Sequence, residues 1–230
     1  MKQKKPLDER LSFVHAGKLV GAIGLEPTTP TMSRWCSNQL SYAPVIRPGI
    51  IPALTVRLHP ADRPALLAHF TSLDGEDRRL RFGAPLGDGA IANYVERIDF
   101  VRDGVFAVHD GTLRLLAVVH VAFSQDTAEL GISVLPAARK QGLGGALFER
   151  AVMHLRNRGS REAFIHCLSE NGAMMHIARK LGMSIIPCGE ETDARIRVDP
   201  PTPQTHFVEW MQDRNADVVR CYSVFSKRAA

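Results

Sequence analysis

From Leu54 onward the apolar and polar positions fall into regular patterns, and each pattern predicts an element. "LTVRL" (54–58) alternates like a short strand. In "PADRPALLAHFTSL", Leu66, Leu67 and Phe70 stand at helical spacing, and the polar "DGEDRRLRFG" that follows reads as a connection or a short helical turn. Ile91, Tyr94, Val95 and Ile98 repeat at i, i+3, i+4, i+7 and predict a helix. "GVFAVHDGTLRLLAVVHVAF" holds two β-rich runs joined at Asp110–Gly111, a dipeptide that favours a tight hairpin turn. "TAELGISV" adds another strand. A long helix from Gly142 to Gly159 then places Leu143, Leu147, Ala151 and Leu155 on one stripe, against polar Glu149, Arg150, Arg156 and Arg158. "EAFIHCL" predicts a strand. "NGAMMHIARKLGM" predicts a helix with Met174, Ile177, Ala178 and Leu181 on one face, Arg179 and Lys180 in its last turn, and Gly182 as its cap. "ARIRV" reads as a further strand before the turn at "DPPTP", and residues 204–217 as a C-terminal helix. Antiparallel runs followed by a strand–helix–strand–helix section imply an α+β or mixed α/β domain.

Residues 21–44 show neither period and carry Pro27, Pro30 and Pro44 among Thr, Ser and Asn. With permitted codons, "CSNQLSYAP" reads antisense to a sequence like the acceptor and D arm of a transfer RNA gene, and "GLEP" antisense to a T-arm-like one. Residues 1–45 are therefore expected to be a disordered leader or a start assigned too far upstream, with the true start near Val45–Ile51. The domain is expected over 52–200, and a C-terminal helix and tail over 201–230.

Composition narrows the function classes. A chain of 230 residues with 45% hydrophobic and 23% charged residues is an ordinary globular mix. The formal charge is +5, but residues 1–45 hold six of the basic and three of the acidic side chains. The rest is nearly balanced and has no basic stripe, so nucleic acid is not expected as a partner. Cys36, Cys167, Cys188 and Cys221 form no C-x-x-C pair, and no His and carboxylate set has metal-site spacing, so no metal is expected. His109, His120 and His166 lie in β runs and read as packed or edge residues. No apolar run approaches a membrane span, and the apolar stretch behind "MKQKK" is broken by His15 and Lys18 with no cleavage site, so a cytoplasmic setting is expected.

The chemistry concentrates in "VLPAARKQGLGGALFERAV" (134–152). A strand, a glycine-bearing turn and a helix N-terminus make an anion site, because glycines admit a close ligand and the first N–H groups of the helix are free. Two phosphate motifs fail here. A Walker-type loop needs Lys where Ala146 stands, and a dinucleotide loop beginning at Gly142 needs glycine where Leu147 stands. No G-x-S-x-G elbow supports a hydrolase.

Arg139-x-x-Gly142-x-Gly144, behind "VLP" and ahead of an amphipathic helix, resembles the R/Q-x-x-G-x-G/A signature of the GNAT superfamily of acyl-CoA-dependent N-acyltransferases. Asn171, opening a helix that ends "RKLGM", is similar to the family's second motif, and the two occur in the family's order. The resemblance covers 54–198. It implies one GNAT-type domain with a mixed, mostly antiparallel sheet flanked by helices. It also implies acetyl-CoA as cosubstrate, held by Ser133, Val134, Arg139, Lys140, Gln141, Gly142, Leu143, Gly144, Gly145, Ala146 and Asn171. Matching bacterial protein-lysine acetyltransferases, which "DRRLRFG" (77–83) also resembles, Glu129 is the expected general base. N–H groups around Val134 are the expected oxyanion donors. The family's tyrosine acid falls at Ala178, so any proton donor must be another group, such as Ser169 or His176, or the thiolate leaves unprotonated.

The reading is an acetyl-CoA-dependent N-acetyltransferase acting on a primary amine, of a protein lysine or of a small molecule. The alternative is a non-catalytic acyl-CoA-binding regulatory module of the same fold. A nucleotide-binding domain would need an acidic ribose ligand after the second strand, which the sequence does not convincingly supply.

Overall fold

A computed structural model of the protein describes residues 54–228, with side chains described to Val218. The expectations for residues 1–45 and for the start near 45–51 lie outside the described residues. Strand β1 (Val56–Arg57) leads through a 3-10 turn into helix α1 (Arg63–Thr71), α2 (Gly75–Phe82) and α3 (Asp88–Arg97). Strands β2 (Gly104–His109), β3 (Leu115–Ser124) and β4 (Thr127–Val134) follow. Then come α4 (Leu143–Asn157), β5 (Glu162–Leu168), α5 (Gly172–Lys180), β6 (Ser184–Cys188), β7 (Glu191–Arg197) and α6 (Pro203–Arg228).

The strands form one seven-stranded sheet in the order β1-β2-β3-β4-β5-β7-β6. Every neighbour pair is antiparallel except β4 with β5. This is the mixed, mostly antiparallel sheet flanked by helices that the sequence implied. One face buries Phe106, Val119, Leu130, Ile132 and Ile165 under Leu147, Phe148 and Leu155 of α4 and Met174 and Ala178 of α5. The other face packs Val105, Ala107 and Val118 against Leu66 and Phe70 of α1 and Ile91 and Val95 of α3. The hydrophobic stripes read from the sequence thus face the sheet from both sides.

Three local expectations need correction. The segment read as a connection or a short helical turn is the 8-residue helix α2, capped by the Asp74 carboxylate on the Asp77 N–H and closed by Gly83 at φ +74. No residue of α2 is fully buried, so it has no apolar period to announce it. The β2–β3 hairpin does not turn on Asp110–Gly111 alone. Its left-handed residue is Leu113 (φ +65), after a turn closed by the Leu113 N–H to Asp110 carbonyl bond, while the Asp110 carboxylate accepts from Thr112 and Arg114. That is the three-residue hairpin loop, in which the αL position follows a turn. Finally, β6 is an added edge strand. Most of its residues are exposed and it contains Pro187, which only an edge tolerates.

Candidate active site

The site begins where the sheet stops pairing. Strand β4 pairs with β3 along its whole length, from Thr127 opposite Ser124 to Val134 opposite Ala117. Against β5 its pairing ends after Thr127, Ala128 and Glu129, opposite Glu162, Ala163 and Phe164. Strand β5 continues to Leu168, paired along its other edge with β7 over its whole length, so its β4 edge is left open from Ile165. The two parallel strands therefore part beyond Glu129.

Hydrogen-bond alternation says which groups face the opening. The Leu135 N–H donates to Leu116, and on the other side the Asp126 carbonyl accepts from Arg161. The main-chain groups of Gly131 and Ser133 thus point to β3, and those of Ile132 and Val134 point toward β5, where no strand partner meets them. The Val134 carbonyl takes the Arg139 Nε–H at 3.2 Å, leaving its N–H directed into the gap. Unpaired backbone donors in a protein interior call for a polar partner.

At the end of β4 the chain turns through Pro136–Ala138 into the glycine loop. Lys140 and Gly142 both take left-handed backbone, at φ +62 and φ +80. Gly142 occupies the N-cap position of α4, where no side chain caps the helix. The first intrahelical donor bond is that of the Ala146 N–H to the Gly142 carbonyl, so the N–H groups of the preceding turn are free. Gly145 has open space around it, whereas a Cβ on Gly144 would come within 2.9 Å of Ile177. Gly144 therefore serves the close packing of α4 on α5, and Gly142 and Gly145 leave the backbone at the helix start bare. Leu143 is buried in the core, and Lys140 and Gln141 are exposed.

The remaining expected residues divide. Glu129 is exposed, stands at the last β4–β5 pair, and makes no hydrogen bond or ion pair among the described residues. Asn171 caps α5, accepting from the Met174 N–H at 3.0 Å and donating to the Leu80 carbonyl at 3.3 Å. The Ser133 side chain turns inward to His69 at 2.8 Å, away from the loop. Since the Leu115 carbonyl can only accept, His69 Nδ1 carries the proton at 3.0 Å from it, and Nε2 accepts from the Ser133 hydroxyl. Burial pushes the His69 pKa down to about 4. Ala178 is buried, His176 is exposed on α5, and Ser169 is hydrogen-bonded to Thr192 at 2.7 Å.

Helix α2 bridges the two arms of the opening. Asp77 pairs with Arg139 after β4 at 2.5 Å, and Arg79 pairs with Glu170 after β5 at 2.5 Å. Further inward, Arg81 donates to the Tyr94 hydroxyl at 3.1 Å, and Tyr94 donates to His120 Nδ1 at 2.7 Å. His120 Nε2 lies 3.2 Å from the Asp103 carboxylate. Burial raises the Asp103 pKa, but the bonds from His120 and Arg102 outweigh it and hold the group below its usual range. Sequence reasoning treated Tyr94 as part of an apolar stripe and His120 as a packing residue, and missed this chain. Gly131, a glycine inside a strand, is the one sign of it, since a Cβ there would collide with the Arg81 guanidinium.

Among the described residues no group of three His, Cys, Asp or Glu side chains is arranged to hold a metal, and no helix is long and apolar enough to cross a membrane. Residues 80–183 match the model of the Acetyltransferase (GNAT) family. The GNAT domain of S. lividans PAT shares the fold at 21% identity, over 62% of this chain and 89% of that one, with a TM-score of 0.55. An N-acetyltransferase from Staphylococcus aureus Mu50 does so at 15% identity, over 63% and 98%, with a TM-score of 0.54. So does a phosphinothricin acetyltransferase from Sinorhizobium meliloti, solved in complex with AcCoA, at 16% identity, over 66% and 95%, with a TM-score of 0.54. No curated protein matches the chain in sequence.

Proposed function

We propose that the chain, whose residues 80–183 match the Acetyltransferase (GNAT) family and whose fold is shared by acetyltransferases, transfers the acetyl group of acetyl-CoA directly to a primary amine, with Glu129 as general base, in a cytoplasmic setting. The observation that carries the reading is the parting of β4 from β5 beside an uncapped, glycine-lined helix N-terminus. The two features suit the two ends of one elongated ligand. The free N–H groups ahead of Ala146, with the α4 dipole behind them and Arg139 and Lys140 beside them, suit the pyrophosphate. The unpaired edge at Ile132 and Val134 suits an amide-bearing arm lying along β4 as a strand would. The S. meliloti relative, solved with AcCoA, supports the same assignment.

Acetyl-CoA supplies an activated acetyl group; the chain supplies the rest. An alkyl amine with a pKa near 10.4 is neutral about once in 2,500 molecules at pH 7, so a base at the site matters. Glu129 stands at the throat of the opening, on the exposed side of β4 and free of partners, where it accepts the ammonium proton directly or through a water. The Val134 N–H, which the amide-bearing arm leaves free, polarises the thioester carbonyl and stabilises the charge that builds on its oxygen. With Ala178 in place of a phenol, the thiolate leaves unprotonated or takes its proton from solvent. The acceptor is a protein lysine, as the "DRRLRFG" resemblance suggests, or a small-molecule amine.

The test is Glu129→Gln in an assay that follows thiol release with a panel of amines. Turnover should fall about 10²- to 10⁴-fold, with acetyl-CoA affinity unchanged. Undiminished turnover in the variant removes Glu129 from the mechanism. A parent protein that binds acetyl-CoA tightly, yet transfers to no amine or protein in a cell extract, is the non-catalytic module instead.

A further inference from the structure

Three arginines lie on α2 within four residues, and they are not alike. Arg78 pairs with Asp88 at 2.8 Å and donates to main-chain carbonyls of Thr71, Leu73 and Leu86. Arg79 pairs with Glu76 and Glu170. Arg81 has no carboxylate among the described residues. Among the described residues its sole hydrogen bond is the one to the Tyr94 hydroxyl, and its buried Nε has no partner. The guanidinium stands instead among the rings of Phe82, Phe70 and Tyr94, 4.9, 5.7 and 5.8 Å from their centres. Those rings stack edge to face on one another, so they form a fixed wall.

A half-buried cation offset only by aromatic faces is incompletely compensated. The fold nevertheless holds it in place. Behind it runs the chain of Tyr94, His120, Asp103 and Arg102, each donating in one direction or anchoring the carboxylate. In front of it Gly131 lacks the side chain that would collide with it. Strand alternation places Gly131 on the same face of β4 as Glu129, two residues away, a spacing of roughly 7 Å. Arg81, packed on Gly131, and Glu129 thus face the same side of β4 at neighbouring positions.

We propose that Arg81 is the anchor for a carboxylate on the acceptor, so that the amine acetylated at this site belongs to a small amino-acid-like molecule rather than to a protein lysine. The inference rests on the reading that Glu129 faces the acceptor. The acceptor's carboxylate takes the Arg81 edge made by Nε–H and the Nη2 hydrogen parallel to it, while the other Nη2 hydrogen stays on Tyr94. Its amine, two or three bonds away, then meets Glu129. The Tyr94 bond keeps the guanidinium plane fixed, and the aromatic wall excludes the water that otherwise competes for it.

The experiment compares free amino acids with their C-terminal amides as acceptors for the full chain, alongside Arg81→Gln and Arg81→Lys. In the parent, at least one free acid should exceed its amide in kcat/KM by about a hundredfold, the loss expected for one charge-assisted pair. Arg81→Gln should erase that preference by raising KM for the acid and leaving KM for the amide, while acetyl-CoA affinity stays as in the parent. Arg81→Lys should restore part of it. Equal use of acids and amides by the parent, or transfer confined to protein lysines, overturns the proposal. Should no amine be acetylated, which is the failure of the transferase reading, calorimetry on the CoA-saturated protein still decides. Tighter binding of N-acetylglycine than of N-acetylglycinamide, lost in Arg81→Gln, supports the anchor, and indifference between the two overturns it.

Discussion

Strand β4 has two neighbours of opposite kind. Against β3 it forms eight residue pairs, and against β5 three, although β5 itself runs on for four more residues. Both seams use the same alternating β sequence, and both bury apolar side chains on the α4 side of the sheet. Only the hydrogen bonds differ. Where the ladder is closed the backbone is structural; where it opens, the same groups become available to a ligand. Side chains alone would not have separated the two, because the groups proposed to act at Ile132 and Val134 are amides. A proline scan of two consecutive residues tests the distinction most severely. Ser133 belongs to the β3 ladder, so Ser133→Pro removes a ladder donor, strands the Val118 carbonyl and leaves His69 without its hydroxyl. It should lose about 3 kcal/mol or more of stability by denaturant unfolding. Val134→Pro removes an N–H that faces the gap. It should keep most of its stability while turnover falls about 10²- to 10³-fold, as for the loss of one oxyanion donor. If both variants unfold alike, or if Val134→Pro transfers at the parent rate, the contrast between the seams is wrong.

The closed seam is also secured from beneath, and this gives it a pH dependence. His69 of α1 joins Leu115 next to β3's first bonds to Ser133 on β4, as a neutral imidazole with its proton on Nδ1. Burial lowers its pKa from 6.5 to about 4. Below pH 6.5 the unfolded chain takes up a proton that the fold refuses. Stability from the neutral group is therefore complete above pH 6.5 and is lost as pH falls toward 4, by about 3 kcal/mol at 1.36 kcal/mol per unit. Denaturant unfolding at pH 7 and pH 4.5 should show a steeper loss for the parent than for His69→Met, which has nothing to titrate there. Equal slopes would falsify the assignment.

Much of this was legible in the sequence, and the exceptions share a cause. The stripes of α1, α3, α4 and α5 follow the helical period because each buries one face against the sheet. The glycine loop was legible because the anion site proposed there needs a bare backbone, and glycine leaves a mark. Helix α2 was not, because distant partners hold it: Asp77 to Arg139, Arg79 to Glu170, and Leu80 to Asn171. Long-range ion pairs have no period. Strand β6 was missed because an exposed edge strand with a proline lacks the apolar alternation that marks a strand. The point where β4 leaves β5 has no side-chain signature at all, since it is a divergence of two backbones and β5 keeps its β7 ladder throughout. Arg81 showed itself only through Gly131, a small residue in a strand with no turn to explain it.

The smallest expected effect lies in the loop that joins the open seam to α4. Lys140 and Gly142 both hold left-handed backbone, at φ +62 and φ +80, yet only one of them is glycine. A side chain costs about 1–2 kcal/mol in that region, so the fold already accepts such strain at Lys140. Space does not explain the difference, because nothing lies within 4 Å of a Cβ at Gly142. What distinguishes Gly142 is its place at the N-cap of α4, where its conformation aims the free N–H groups. Gly142→Ala should therefore act mainly on ligand binding, weakening acetyl-CoA by a factor of about 5–30, the equivalent of 1–2 kcal/mol. Lys140→Gly should relieve strain and stabilise the fold slightly, while costing only the modest attraction of one exposed cation. Titration of acetyl-CoA into both variants, with thermal unfolding in parallel, separates the two roles. If Gly142→Ala binds as the parent does and loses only stability, its left-handed turn serves the chain and not the phosphates.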